Sequence, residues 1–170
     1  MNILETERTV LRRLNENDFD NLCTILQDEQ AMYAYEHAFS GQEVHEWLAR
    51  QLSRYQKYNF GLWGVYLKKT GEFIGQCGIT MQDWNGKEVP EIGYLFRRQF
   101  WHMGYATECA VACKHYAFNN LGFTKVYSII RENNAPSIAV AQRNGMKPVG
   151  NLTKFYYETV MPHIVYCAEK

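Results

Sequence analysis

The segment from Val89 to Leu121 constrains the fold more than any other part of the sequence. Val89 to Phe96 is apolar and aromatic, which is typical of a buried strand. After an irregular polar stretch, small side chains recur at three- and four-residue steps, as on one face of a helix. They are Ala106, Cys109, Ala110, Cys113 and Ala117. The segment therefore predicts a strand, a tight loop that contains Gly104, and a helix that starts at Tyr105.

The loop before this helix has the features of an anion-binding site. The first amide groups of a helix have no partner within the helix, and together with the helix dipole they attract anions, most commonly phosphate. Gly104 has no Cβ, so the backbone can approach a ligand closely there. For Gly104 taken alone, a glycine that only turns the chain is the alternative interpretation.

A short strand is predicted after the helix. Val126 to Ile130 is apolar and β-branched, as in the buried strand of a parallel pair. A strand–helix–strand crossover of this length predicts that it runs parallel to Val89–Phe96. Ligand should then bind at the carboxyl ends of the two strands.

The remaining elements flank this unit. The helix signals are the capping residues Asn15 to Asp18, before an apolar stripe, and the capping box that Ser40 forms with Glu43. Gly122 and Gly145 fit the ends of helices. The predicted strands are Thr9 to Leu14, Gly61 to Leu67, Phe73 to Met81 after a turn at 69–72, and Val160 to Val165, which Pro162 interrupts. Asn85-Gly86 predicts a hairpin before Val89.

Length, charge and cysteine usage narrow the class of protein. The 170 residues suit one domain spanning 1–170, and no apolar run is long enough to cross a membrane. The formal net charge is +0, so a nucleic-acid partner is not expected. The five cysteines lack CxxC spacing and the five histidines lack metal-ligand spacing. We therefore expect reduced thiols, no metal site and a cytoplasmic location.

Two motifs between Glu91 and Met146 resemble those of the GNAT superfamily of acetyl-CoA-dependent N-acetyltransferases. The string Trp101-His102-Met103-Gly104-Tyr105-Ala106 is similar to the pyrophosphate loop of that family. Asn134, Ser137 and Gly145 resemble its last motif, Asn-x-x-Ala/Ser followed by Gly-Phe, with Met146 in place of Phe. Ile92-Gly93-Tyr94, Phe100-Trp101 and the run from Gly104 to Glu108 are similar to the RimJ/RimL-type branch. Members of that branch acetylate protein N-termini and other amines.

The resemblance implies a fold, a co-substrate and a set of contacts. The expected fold is α/β (α+β), with a mixed, mainly antiparallel sheet, helices on both faces and a V-shaped opening between two parallel strands. Acetyl-CoA is the implied co-substrate. Its expected contacts are Leu95, Phe96, Arg98, His102, Met103, Gly104, Tyr105, Ala106, Thr107, Asn134 and Ser137. Arg97 and Arg98 could meet the phosphates, although exposed loop charges need no function.

The expected catalytic residues are Glu91 and Ser137. Glu91 could take the proton of the acceptor ammonium; a solvated glutamate at the start of a strand is the alternative. Unpaired amides of Tyr94, Leu95 and Phe96 could stabilise the developing oxyanion. Many relatives place a tyrosine acid where this chain has Ala141, and Ser137 is the implied substitute. Its alternative is a plain first-turn residue of a helix. Glu158 is a weaker candidate base.

The acceptor is not fixed by the sequence. A peptide N-terminus is the first expectation and a small amine the second, with the protein a monomer or a homodimer. The aromatic run from Met32 to His37 could line the acceptor pocket or simply pack between helices. The sequence departs from the family pattern at His102, where the family loop often has Gly, and at Ala141, where many relatives have Tyr. These departures leave an alternative to an enzyme, namely a CoA-binding sensor or interaction module without catalysis.

Overall fold

In a computed structural model, which describes residues 1–170, the strands form one eight-stranded sheet in the order β1-β2-β3-β4-β5-β6-β8-β7. Every neighbouring pair is antiparallel except β5 and β6. The strands are β1 Asn2–Glu5, β2 Thr9–Arg13, β3 Leu62–Leu67, β4 Phe73–Trp84, β5 Lys87–Phe96, β6 Lys125–Arg131, β7 Lys147–Tyr156 and β8 Thr159–Glu169. The helices are α1 Phe19–Leu26, α2 Gly41–Tyr58, α3 Tyr105–Asn119 and α4 Ala135–Arg143. The predicted fold class is confirmed.

Two neighbouring residues of β4 show that helices cover both faces of the sheet. The Gln76 side chain accepts a hydrogen bond from Trp47 Nε1 of α2 at 3.1 Å. The next residue, Cys77, has its sulfur 3.7 Å from the sulfur of Cys113 on α3. Successive side chains of a strand point to opposite faces. Helices α2 and α3 therefore lie on opposite faces.

The small-residue stripe of α3 lets that helix sit close to the sheet. Cys109, Ala110, Cys113 and Ala117 are all buried. The predicted interpretation of these cysteines as core residues is confirmed, since all five cysteines of the chain are free thiols and none lines the cavity described below. Burial raises the pKa of Cys109, and of Cys77 as well, which keeps both thiols protonated.

The local signals place the ends of the helices well. Ser40 and Glu43 form the predicted capping box at the start of α2. Asn134 caps α4 by accepting a hydrogen bond from the Ser137 amide. Helix α3 ends at Asn119, and Gly122, with φ of 76°, turns the chain after it.

The carboxyl-terminal hairpin corrects the sequence-based prediction. Strands β1 and β7 were not predicted, and β8 continues through Pro162 instead of stopping there. The Pro162 carbonyl accepts a hydrogen bond from Glu132 N, just past the end of β6. The Pro162 nitrogen points to the same side as its carbonyl, away from β7. Its missing N–H therefore costs no hydrogen bond to β7. The hairpin turn uses Tyr157 and Glu158, with φ of 48° and 60°, and neither residue type signals such a turn.

No helix of the structure is both long and apolar enough to cross a membrane.

Candidate active site

Strands β5 and β6 separate almost as soon as they pair. Their backbone register consists of Glu91 opposite Tyr127 alone. Beyond that point side chains replace the backbone ladder. Ser128 Oγ donates to the Ile92 carbonyl at 2.9 Å, and Ile129 N donates to Glu91 Oε2 at 3.2 Å. The opening is the predicted V between parallel strands.

A cavity of about 290 Å³ occupies the opening. It is lined by β5, β6, the start of α3, the start of α4 and the 3₁₀ turn Tyr33–Tyr35. The predicted site residues that line it are Glu91, Leu95, Phe96, His102, Gly104, Tyr105, Ala106, Thr107, Asn134 and Ser137. Arg98 and Met103 do not line it.

The first turn of α3 forms one end of the cavity. Gly104 precedes it in the left-handed conformation, with φ of 82°, and its carbonyl accepts the first helical bond from Glu108 N. The amides of Tyr105, Ala106 and Thr107 come before that bond and have no partner within the helix. The three residues line the cavity, so this turn presents N–H groups and the positive end of a helix dipole to a ligand. The arrangement fits a diphosphate.

Two arginines that the sequence did not point to lie beside this turn. Arg143 of α4 lines the cavity and also a shallow depression next to Gly104 and Thr107. The guanidinium of Arg8 lies over the Tyr105 ring, 4.1 Å from its centre, and its Nε donates to Glu108 at 2.7 Å. This ion pair offsets the charge of the Glu108 carboxylate, which would otherwise repel an anion at the start of α3.

The two arginines after β5 are engaged elsewhere. Arg97 pairs with Glu72 at 2.9 Å and also donates to the Phe73 carbonyl. Arg98 pairs with Asp28 and donates to Gln30. The contacts of Arg98 fasten the loop after α1 to the loop after β5, and those of Arg97 fasten the turn before β4 to the same loop. Both guanidinium groups that were predicted to meet the phosphates thus have partners in the protein. The contact of Arg98 with the co-substrate stays a prediction.

Glu91 lies where the two strands part. Protein surrounds its carboxyl group, although part of its surface still faces the cavity. Burial raises the pKa of Glu91 above its usual value, while Lys154, the Ile129 amide and Arg54 act in the opposite direction. A carboxylate with a raised pKa inside a cavity has the properties that a general base requires.

The backbone amide of Tyr94 faces the same opening. The carbonyls of Ile92 and Phe96 point away from β4, since they accept from Ser128 Oγ and Trp101 Nε1. Because alternate residues of a strand direct their backbone groups to the same side, the Tyr94 N–H also points into the gap. The same alternation directs the Phe96 N–H away from β4 and the Leu95 N–H toward β4, so Tyr94 and Phe96 are the predicted oxyanion donors on this side.

Asn134 and Ser137 lie on the α4 wall of the cavity. Asn134 Oδ1 accepts from the Tyr33 hydroxyl at 2.5 Å as well as from the Ser137 amide at 3.3 Å. The Tyr94 hydroxyl donates to the Ser137 carbonyl at 3.0 Å. The hydroxyl of Ser137 and the Nδ2 of Asn134 have no hydrogen-bond partner in the protein. Both groups are free to contact a ligand.

The other end of the cavity is aromatic and basic. Tyr33 and Tyr35 of the run 32–37 line it, and Tyr35 also packs edge-on against Phe39 and Trp47, so the predicted aromatic packing is confirmed. That the run contacts the acceptor stays a prediction. Sequence reasoning missed four residues at this end: Arg131, Lys154, Tyr156 and His163. No local motif marks them, because the hairpin β7–β8 that carries most of them was not predicted. Glu158 lies exposed in its turn and does not line the cavity.

Residues 8–147 match the model of an acetyltransferase (GNAT) domain. The chain belongs to the GNAT acetyltransferase family. The resemblance read from the two motifs is thereby confirmed at the level of the family, and the chain is an acetyltransferase of a family that uses acetyl-CoA.

Relatives and solved structures agree with this assignment. The uncharacterized protein YkkB of Bacillus subtilis (strain 168) is 38% identical over 144 residues, which cover 84% of each chain. An acetyltransferase from Agrobacterium tumefaciens str. C58 superposes with a TM-score of 0.83 at 26% identity, covering 98% of this chain and 94% of that one. RimL, a ribosomal L7/L12 alpha-N-protein acetyltransferase in complex with coenzyme A, gives 0.80 at 17% identity, covering 99% and 98%. The last likeness concerns the GNAT fold and leaves the branch open.

The structure contains no group of three or more His, Cys, Asp or Glu side chains placed to hold a metal ion.

Proposed function

We propose that this acetyltransferase moves the acetyl group of acetyl-CoA directly onto a primary amine, with a peptide N-terminus as the first candidate acceptor and a small amine as the second. One observation carries the proposal. A single cavity between the parted strands is lined both by the first turn of α3 and by Glu91. It thus joins a place for a diphosphate to a place for a base.

The residues of the chain divide the work of binding. Acetyl-CoA supplies the acetyl group as a thioester. The amides of Tyr105, Ala106 and Thr107 hold the diphosphate, with Arg143 beside them. Asn134 and Ser137 flank the arm that leads to the thioester. The Tyr94 amide donates to the carbonyl oxygen as negative charge develops on it.

Glu91 manages the proton of the acceptor. An ammonium has no lone pair, so its proton must leave before nitrogen can attack. The carboxylate of Glu91 accepts that proton, directly or through water. The amine nitrogen then bonds to the acetyl carbon, the carbon–sulfur bond breaks, and the electron pair leaves with the thiolate of CoA. The nitrogen gives up its second proton to water as the amide forms. The Ser137 hydroxyl lies on the α4 wall, where it can hydrogen-bond to the departing sulfur. No covalent enzyme intermediate is needed.

Two observations support placing a peptide N-terminus before a small amine as the acceptor. The strings Ile92-Gly93-Tyr94 and Phe100-Trp101 are similar to the RimJ/RimL-type branch, and RimL shares the fold. A monomer and a homodimer are both compatible with the site as proposed, because all of its residues come from one chain.

A panel of amines tests the proposal. The purified chain is given acetyl-CoA with a peptide bearing a free N-terminus, the same peptide already acetylated, a polyamine or a free amino acid, and release of CoA thiol is followed. We expect release with at least one free amine and none above hydrolysis with the blocked peptide. Tight binding of acetyl-CoA without release on any amine would identify the rival, a CoA-binding module without catalysis.

A further inference from the structure

The acceptor end of the cavity carries more positive than negative charge. Lys154 and Arg131 line it, and Arg54 acts on Glu91 electrostatically from α2. The acids at this end are Glu91 and Glu36, and Glu36 is already paired with Arg131 at 2.5 Å. That leaves two cations, Lys154 and Arg54, beside the single carboxylate of Glu91.

Neither of these two cations forms an ion pair. Lys154 and Arg54 are both absent from the ion pairs of the protein, although both are only half-exposed. Arg54 donates to the neutral amide of Gln51 at 3.2 Å. Arg50, one turn before Arg54 on α2, adds a further positive charge. Once Glu91 takes a proton, Lys154 and Arg54 have no compensating negative charge in the protein.

The histidine at this end does not supply compensation either. His163 is buried and its Nδ1 donates to the Met161 carbonyl at 2.7 Å. Burial lowers the pKa of His163, and Lys154 and Arg131 lower it further, so the ring is neutral at pH 7. His163 therefore leaves the charge imbalance at this end unchanged.

We infer that the acceptor is an amine that carries a carboxylate close to its amino group, and that Lys154 is the residue that binds this carboxylate. The inference rests on the proposed function and narrows its substrate class. A free α-amino acid and a peptide with an acidic residue near its N-terminus share this chemistry. A polycationic amine does not, because it would bring further positive charge to Lys154 and Arg54.

Lys154 is placed for this role by the strand that carries it. Lys154 and Tyr156 are two residues apart on β7, so their side chains share one face, and both line the cavity. Lys147 lies on the same strand, is exposed, lacks an ion pair and does not line the cavity. It provides a matched control.

The test uses acceptor pairs in which one member has an amide where the other has a carboxylate, and rates are compared per unprotonated amine. L-Serine is compared with L-serinamide, and the amidated tripeptide Ser-Asp-Ala with Ser-Asn-Ala. We expect kcat/KM to favour the carboxylate member by about 10- to 100-fold, the range of a hydrogen bond to a charged group. Preference within the serine pair identifies a free amino acid as the source, and preference within the tripeptide pair an acidic peptide.

Variants test whether Lys154 is the residue responsible for the preference for a carboxylate acceptor. Because Lys154 also lowers the pKa of Glu91, the variant is assayed at a pH above the titration of Glu91. In Lys154→Met the KM of the carboxylate acceptor should then rise by about 10- to 100-fold, with kcat and the amide acceptor little changed. Lys154→Arg should restore much of the preference, and Lys147→Met should keep all of it. Equal kcat/KM for acid and amide in the parent, or equal losses for both in Lys154→Met, would overturn the inference.

The inference can fail separately from the proposed function. If no acceptor is acetylated, the proposed function falls, and binding is measured instead. N-acetylserine and N-acetylserinamide are then titrated calorimetrically into the protein with CoA present. Tighter binding of the acid, lost in Lys154→Met, supports the carboxylate site; equal binding of the two overturns it.

Discussion

The carboxylate of Glu91 accepts the backbone N–H of Ile129 across the line where β5 and β6 part, at 3.2 Å. In a regular parallel ladder that N–H would donate to the Ile92 carbonyl, which here accepts from Ser128 Oγ instead. One side chain from each strand thus replaces a backbone bond. The Ile129 N–H and the Ile92 carbonyl each keep a hydrogen-bond partner although the strands have parted, and the candidate base supplies one of the two.

This relationship makes Glu91→Gln an informative variant. The Gln oxygen can still accept the Ile129 N–H, so the opening should persist while the base is lost. We expect kcat to fall about 100-fold or more. In the parent, kcat should rise with pH through a carboxyl pKa above the usual 4.5, and this acidic limb should vanish in the variant. An unchanged pH–rate profile would exclude Glu91 as the base.

The direction in which Glu91→Gln changes the free energy of unfolding can also be predicted. Because burial raises the pKa of Glu91 in the native state, the native protein keeps a proton there that the unfolded chain has released. The stability that Glu91 contributes is present below about pH 4.5 and is lost as the pH rises through the raised pKa. Glu91→Gln should therefore be at least as stable as the parent at pH 7 in urea unfolding, which separates a catalytic loss from a folding defect.

Gly104→Glu should abolish tight binding of acetyl-CoA. The new carboxylate would stand at the start of α3, where the diphosphate is proposed to lie. Gly122→Glu is the control, since Gly122 has a similar φ of 76° and open space around it at the far end of the same helix. Both variants should lose about 1–2 kcal/mol of stability from the left-handed conformation. In calorimetry only Gly104→Glu should weaken binding, by about 100-fold; equal weakening in both would remove the site from this loop.

Asn134 has a capping role and a proposed ligand role, and Asn134→Asp separates them. The Asp oxygen can still cap the Ser137 amide at the start of α4, but the free Nδ2 donor is gone. We expect stability close to that of the parent and a KM for acetyl-CoA raised about 10-fold, as for loss of one hydrogen bond. Ser40→Ala, which removes a cap far from the cavity, should do the reverse, costing about 1 kcal/mol of stability with unchanged kinetics.

Gly78→Ala should destabilise the sheet strongly. A Cβ on Gly78 would overlap the carbonyl oxygen of Gly61, a backbone atom that cannot rotate away. We expect a loss of about 3 kcal/mol or more in the free energy of unfolding. Gly41→Ala, at the first position of α2 with nothing within 4 Å, should be neutral or slightly stabilising. Similar midpoints for both variants in urea would show that β3 and β4 can shift apart at Gly78.

Short-range signals explain what the sequence predicts well. The hairpin at Asn85-Gly86 and the caps Ser40 and Asn134 depend on backbone preferences and bonds that span two to four residues. The β7–β8 hairpin lacks such a signal, because Tyr157 and Glu158 adopt positive φ without being Gly or Asn. The fold class and the tight loop before α3 are therefore confirmed as predicted structure, while the basic end of the cavity was missed with the hairpin that carries most of it.

The sequence by itself determined the strand–loop–helix unit from Val89 to α3, the caps, and through its motifs the family. Tertiary structure alone decided which charges meet at the site. Arg98 pairs with Asp28, Arg131 pairs with Glu36, and Lys154 lines the cavity without forming an ion pair. Asp28 lies 70 residues before Arg98, and Glu36 lies 95 residues before Arg131. Local preference fixes backbone within a few residues, whereas the pairing of distant charges depends on how the sheet brings its strands together.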